Sequence, residues 1–273
     1  MTEETRTELE AKAREIRALT IDAIGYLGMG HIGGSMSIVD ALALLYYRHM
    51  RVDPANPRKR DRDQLVLSKG HAGPALYAAL ASKGYFPEEW LHTLNVGGTN
   101  LPSHCDRNRT PGIDMTTGSL GQGISAACGI ALGNRMNGLS SSIFCIIGDG
   151  ESDEGQVWEA AMFAAQYKLD KLVAFTDYNR MQIDGPTAEI MNLESLKAKW
   201  EAFGWFTQEV NGHDMEAMDE AVTRAKANTG CPSMIILDTV KAKGFSLAEG
   251  QVGSHSMSFS YEDAKKAIAA LKG

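Results

Sequence analysis

No window of the sequence approaches the roughly 18 consecutive apolar residues that a membrane-spanning helix needs. The charged opening stretch MTEETRTELEAKAREIR also lacks the apolar core of a secretory signal. Together these absences point to a cytoplasmic protein. An excess of positive charge is missing too: 27 Lys and Arg face 34 Asp and Glu, a net charge of −7. That balance argues against nucleic acid or an anionic membrane as partner, while leaving room for local basic pockets. Paired cysteines are absent. Cys105, Cys128, Cys145 and Cys231 are widely spaced and form no CxxC, which leaves reduced structural thiols rather than a zinc or redox motif. With no internal repeat or low-complexity linker, residues 1–273 are expected to form a single domain, and 44% hydrophobic residues suffice for a real core.

What is present is an alternation of helical and strand-like patterns. Residues 2–28 carry Leu9, Ala13, Ile16 and Leu19 at helical spacing, and SIVDALALLYYRHM reads as a second helix. The glycine-rich GMGHIGGSMS between them reads as a loop. A charged segment, DPANPRKRDRD, precedes the short strand QLVLS, then a helix through PALYAALASKG and a short helix in FPEEWLHTL. Residues 95–114 show no period, and loops of that length in compact domains are usually functional or disordered. Further on, SIFCIIGDG, LVAFTDYN, WFTQEV and PSMIILDTV are strand-like, with helical stretches at 154–168, 193–203 and 214–227 and a closing amphipathic helix. Nearly continuous apolar strands separated by helices predict a doubly wound, mostly parallel α/β sheet covered on both faces.

In such sheets ligands sit outside the carboxyl ends of the strands, where Asp149 and Asn179 both fall. A carboxylate and an amide at neighbouring strand ends suit a hard cation such as Mg2+ or Ca2+, with a bound diphosphate completing the shell. Gly148 and Gly150 would let the anion approach the backbone, and a helix starting near Glu154 would add its N-terminal dipole. The plainer alternative is a turn in which Asp149 caps a helix.

A GDG followed about 30 residues later by Asn resembles the thiamine diphosphate signature. The surrounding text, GHIGGSMS, DRDQLVLSKGHAGPALYAAL, PSH, TTGSLGQGI, GDGESDEG, DYNRMQIDG, FGWFTQEVNGHD and VGSH, is similar to the diphosphate-binding half of transketolases over nearly the whole chain. The resemblance implies metal ligation by Asp149, Asn179 and the backbone carbonyl of Met181. It implies cofactor contacts from Gly118, Leu120, Gly150, Asn179, His71 and His255. His71 and His255 would meet the diphosphate end or the reacting centre, and His31 and His104 the substrate hydroxyls, so that His31, His104 and His255 become the catalytic candidates. The remaining histidines, His49, His92 and His213, read as structural.

Glu154 and Glu159 are five residues apart on a helix and share no narrow face. They read either as first-turn acids, with Asp153 and Gln156 making a start like a capping box, or, by the resemblance, as acids at a subunit contact.

The implied activity is transfer of a two-carbon ketol unit from a ketose, a sugar phosphate, to an aldose. Full-length members continue into a pyrimidine-binding domain and a third domain, whereas this chain stops at AIAALKG, and its Ile32 stands where many full-length members have proline. The expectation is therefore the N-terminal subunit of a split transketolase, partnered by a C-terminal subunit in a heterotetramer. A Rossmann dehydrogenase fits poorly, because GMGHIGG follows a helix rather than a strand. The open alternatives are a deoxyxylulose-phosphate synthase-like or 2-oxo acid dehydrogenase-like subunit, or a non-catalytic assembly subunit that binds cofactor.

Overall fold

In the computed structural model, which describes residues 1–271, the apolar runs form a five-stranded, wholly parallel sheet. Its strands are β1 Gln64–Leu67, β2 Ile143–Gly148, β3 Leu172–Tyr178, β4 Phe206–Asn211 and β5 Ser233–Asp238, in spatial order β1-β2-β3-β5-β4. Side-chain alternation explains why the central strands are apolar throughout. In β2, Phe144 and Ile146 enter one core cluster while Ile143, Cys145 and Ile147 enter the other, so neither face meets water.

The helices that cover those faces are α1 Glu3–Leu27, α2 Ile32–Met36, α3 Val39–Leu44, α4 Gly73–Ser82, α5 Gln122–Met136, α6 Gly155–Gln166, α7 Leu196–Ala202, α8 Met215–Ala227 and α9 Tyr261–Ala270. Residues of α1, α3, α4, α8 and α9 pack into the cluster on one face, and those of α5, α6 and α7 into the cluster on the other. The long helix α1 has clear punctuation: the Thr2 side chain accepts the Thr5 N–H, and Gly28, at φ 90°, closes the last turn on the Ile24 carbonyl.

Three local expectations need correction. The stretch GMGHIGGSMS is not all loop, since α2 lies inside it and is fully buried. Its glycines serve close packing: a Cβ on Gly33 would stand 2.6 Å from the Ser254 carbonyl oxygen, and one on Gly34 would be 3.2 Å from Lys69 Nζ. The second helix is interrupted, α3 ending at Leu44 before a π-type turn over Leu45–His49. The helix α5 has no counterpart in the expected elements, because Gly123, Gly129 and Gly133 weaken its helical signal. Gly123 is there for contact, a Cβ meeting Ser68 Oγ at 2.4 Å.

Residues 95–114 form no helix or strand, yet bury Leu101, Cys105, Thr110, Ile113 and Asp114. The four cysteines are free thiols. Lys272 and Gly273, the last two residues of the expected 1–273 domain, lie outside the described residues.

Candidate functional site

Parallel strands deliver all their carboxyl ends to one edge, and the loops leaving β1, β2, β3 and β5 meet there around a cavity of about 430 Å3. Register sets the core of the site. Gly148 of β2 pairs with Asp177 of β3, and the Asp149 N–H donates to the Asp177 carbonyl at 3.1 Å, which brings Asp149 beside Asn179. The Asp149 carboxylate accepts the N–H groups of Gly150 at 2.8 Å and Arg180 at 2.5 Å. It therefore does cap the short turn Gly150–Asp153, and it also faces the cavity. Burial, reinforced by the neighbouring Asp177, pushes its carboxyl up to about 7. Asn179 is oriented from both ends: Nδ2 donates to the Asp177 carboxylate at 2.8 Å and Oδ1 accepts the Met181 N–H at 3.1 Å.

Four imidazoles converge on the same cavity. Ring centroids lie 5.6 Å apart for His31 and His71, 5.6 Å for His31 and His104, 5.4 Å for His31 and His255, and 5.1 Å for His71 and His255. Burial lowers each of their pKa values, that of His255 to about 4, with Lys241 and His31 adding to the effect. The rings are consequently neutral at pH 7, with lone pairs ready to accept protons. Gly118, Leu120, Gly150 and Met181 line the cavity as well. His49, His92 and His213 lie elsewhere, each against a carboxylate: Asp219, Asp22 and Asp40.

Glu154 is exposed at the cavity, whereas Glu159 is exposed on α6 and does not line it. The capping box does not form. Glu154 occupies the N-cap without a side-chain bond, and Gln156 instead donates to Ser125 Oγ at 3.0 Å.

The site also contains groups that sequence patterning did not single out. Asp177, fully buried in β3, accepts from Lys69 Nζ at 2.5 Å, Ser37 Oγ at 2.7 Å, Thr239 Oγ1 at 2.5 Å and Asn179. Burial opposes its ionisation, but Lys69 and these donors hold it below the usual carboxylate range. Glu151 ties three loops together, accepting from Ser68 and from the N–H groups of Gly121 and Gly148.

Lys241 lines the cavity with its Nζ buried and without a hydrogen-bond partner among the described residues, and burial lowers it to about 8. Its loop is tied from behind: the N–H of Val240 donates to His213 Nε2 at 2.9 Å, His213 Nδ1 meets Asp40 at 2.7 Å, and Arg17 holds Asp40 from α1. A sequence signal did exist for one pair. A carboxylate within the apolar FTDY and a lysine directly after QLVLS are charges that burial forces to find each other.

These residues fit a divalent cation with a diphosphate. Among the described residues Asp149 forms no salt bridge and Lys241 Nζ makes no hydrogen bond; the two charges face one cavity, Asp149 partly offsetting the fall in the Lys241 pKa, but neither is directly paired. A metal–diphosphate pair would answer both. The Oε1 of Gln182, also at the cavity, is another buried atom without a hydrogen-bond partner among the described residues. At Gly118 a Cβ would have only ordinary contacts, 3.7 Å and beyond, so the chain itself does not demand glycine there, whereas a ligand approaching the backbone would. Among the described residues no cluster of three or more His, Cys, Asp or Glu could hold a metal; the carboxylate of Asp149 and the amide of Asn179 at the cavity are oxygen donors of the kind that suits a hard cation.

A parallel α/β sheet with oxygen donors, a free lysine and neutral imidazoles gathered at its carboxyl edge defines a domain built for a phosphorylated ligand. Residues 9–272 match the family model described as transketolase, thiamine diphosphate binding domain, and the chain belongs to the transketolase family. It is 59% identical over 269 residues to the 6-deoxy-6-sulfo-D-fructose transketolase subunit SqwG of Clostridium sp. (strain MSTE9), covering 98% of each chain. It is 40% identical to an apulose-4-phosphate transketolase subunit of Phocaeicola vulgatus, covering 89% of this chain and 86% of that one. Among solved structures, the transketolase of Campylobacter jejuni superposes with a TM-score of 0.90 at 32% identity over 97% of this chain. This chain spans 42% of that one.

Proposed function

We propose that this chain is the cofactor-holding subunit of a two-chain, cytoplasmic transketolase, a single domain that binds thiamine diphosphate through Mg2+ and assembles with a C-terminal subunit into a heterotetramer. The observation that carries the reading is the joint presence, in one cavity, of the Asp149 carboxylate without a salt bridge, a Lys241 ammonium without a hydrogen-bond partner among the described residues, and four neutral imidazoles. Near-complete coverage of a relative that is itself named a subunit supports the two-chain form.

Asp149, Asn179 and the Met181 carbonyl would hold the metal; Gly118, Leu120, Gly150, His71 and Lys241 would face the cofactor. When bound, thiamine diphosphate supplies carbanion-stabilising chemistry. The chain's own part is orientation and proton handling. His255 forms a near-equilateral triangle of rings with His71 and His31, so it would neighbour both the cofactor side and the substrate side. His31 and His104, neutral and in edge contact, are placed to take a proton from a substrate hydroxyl and return it to the product.

The donor is a ketose with an anionic end. At 59% identity against 40%, the sulfofructose-type donor of the Clostridium relative is favoured over a ketose related to apulose 4-phosphate.

Two experiments test this. The purified chain should give no ketol transfer until its partner subunit is added, with 6-deoxy-6-sulfo-D-fructose as donor; turnover by the isolated chain would refute the two-chain reading. Replacing His31 or His104 with Ala should lower kcat by roughly 10²–10⁴, the usual worth of a positioned acid–base group, while cofactor affinity changes only a few-fold. Unchanged kcat would remove both from proton transfer.

A further inference from the structure

The arginine-rich stretch DPANPRKRDRD plays no part in the histidine-lined cavity. It folds to the opposite, amino-terminal edge of the sheet, just ahead of Gln64 at the start of β1. There it meets residues 107–114 and the end of α5 around a second cavity of about 600 Å3, which shares no lining residue with the first.

Arg58, Lys59, Arg60, Arg62, Arg107 and Arg109 line this cavity against a single acid, Asp114. Asp114 is already engaged, accepting from Arg62 and from the Leu65 N–H. Lys59 and Arg109 have only loose pairs, with Asp61 at 3.4 Å and Asp106 at 3.8 Å, and Arg60 donates to the neutral Asn137 side chain. Among the described residues Arg58 and Arg107 take part in no ion pair, and the buried Nε of Arg62 has no hydrogen-bond partner.

Arg58, Lys59, Arg60, Arg107 and Arg109 are exposed, so water softens their mutual repulsion, but a concavity lined by one sign of charge still focuses its field on an incoming anion. The net charge of −7 sharpens the contrast with the rest of the surface. Guanidinium forks match phosphate oxygens two at a time. No aromatic side chain lines the cavity, so nothing offers a stacking platform for a nucleobase. The several cations and the roughly 600 Å3 volume of the cavity suit a ligand with two anionic heads better than a lone ion.

We propose that this cavity binds a small polyanion carrying two phosphate-type groups. The test uses the full chain assembled with its partner and saturated with thiamine diphosphate and Mg2+, so that the histidine-lined cavity is already filled. Equilibrium dialysis is run with 2,3-bisphosphoglycerate and, in parallel, inorganic phosphate at matched ionic strength. The expected result is one saturable site per chain, with the bisphosphate bound about tenfold or more tightly than phosphate. The double substitution Arg58→Ser/Arg107→Ser should weaken it by about tenfold or more, each lost guanidinium removing a charge-assisted contact. Ketol transfer should stay unchanged and thermal stability nearly so, since among the described residues neither side chain forms a salt bridge and Arg107 gives buried Asp114 only a minor, longer-range contribution beside Arg62. Absence of saturable uptake, uptake indifferent to the double substitution, or displacement by added thiamine diphosphate would overturn the site. Equal affinity for inorganic phosphate would overturn the two-headed ligand.

Discussion

Replacing Asp149 with Ala is expected to abolish Mg2+-dependent retention of thiamine diphosphate by the assembled enzyme. Asp149 is the one carboxylate in the inferred donor set, and it is 4% exposed, so water cannot substitute for it freely. Removing one partner of a buried charge pair costs about 3–5 kcal/mol, which corresponds to a loss of affinity of roughly 10²–10⁴. The substitution also strips the Gly150 and Arg180 N–H groups of their acceptor, so the cofactor-free chain should lose some stability of its own. Titration calorimetry reads the first effect, and melting with and without cofactor separates the second. The thermal shift produced by Mg2+ and thiamine diphosphate in the parent should vanish in the variant.

Acidity supplies an independent check. Because burial and Asp177 raise Asp149 to about 7, protons compete with the cation near neutrality. Cofactor affinity should therefore climb as pH rises from 6 to 8. An Asp149→Ala variant with parental affinity, or a flat pH response in the parent, would show that the carboxylate does not face the metal.

The Lys69→Met substitution carries the largest expected penalty on the fold itself. Lys69 and Asp177 are 1% and 0% exposed, and their contact bridges the end of β1 to the interior of β3. Left alone, the Asp177 carboxylate would keep only neutral donors. The cost is about 3–5 kcal/mol, which at about 2–4 °C per kcal/mol lowers Tm by roughly 6–20 °C.

Pairing Lys69→Met with Asp177→Asn removes both charges and should restore at least half of the lost stability. Cofactor affinity should not recover to the same degree, because a neutral amide at 177 orients Asn179 less firmly than the carboxylate does. A single-variant Tm within 2 °C of the parent would sink this account of the pair.

Much of the arrangement was legible in the chain because two kinds of signal survive folding. Apolar runs ending in GDG or DYN announce strands and the polar residues at their carboxyl ends, so Asp149 and Asn179 could be located from the chain alone. Histidines in glycine- or serine-rich loops were likewise visible, though the gathering of His71, His104 and His255 within 6 Å of His31 depends on the loops leaving β1 and β5, on the 95–114 segment and on residues near α2.

What escaped has a common cause. Lys69 and Asp177 lie 108 residues apart, and a charge looks anomalous only once its burial is known. Lys241 sits in an ordinary-looking KAKG stretch, unremarkable until its Nζ is seen to lack a partner. The helices α2 and α5 were obscured by glycines selected for close contacts with Ser254 and Ser68, where local propensity gives way to packing.

The bond from Val240 to His213 dictates which imidazole nitrogen bears hydrogen. With Nε2 serving as acceptor, the proton must reside on Nδ1 and point at Asp40. A single tautomer thus rivets the segment carrying Lys241 to the helical scaffold behind the sheet, and the ammonium's reach into the crevice is set by an imidazole that lies outside it.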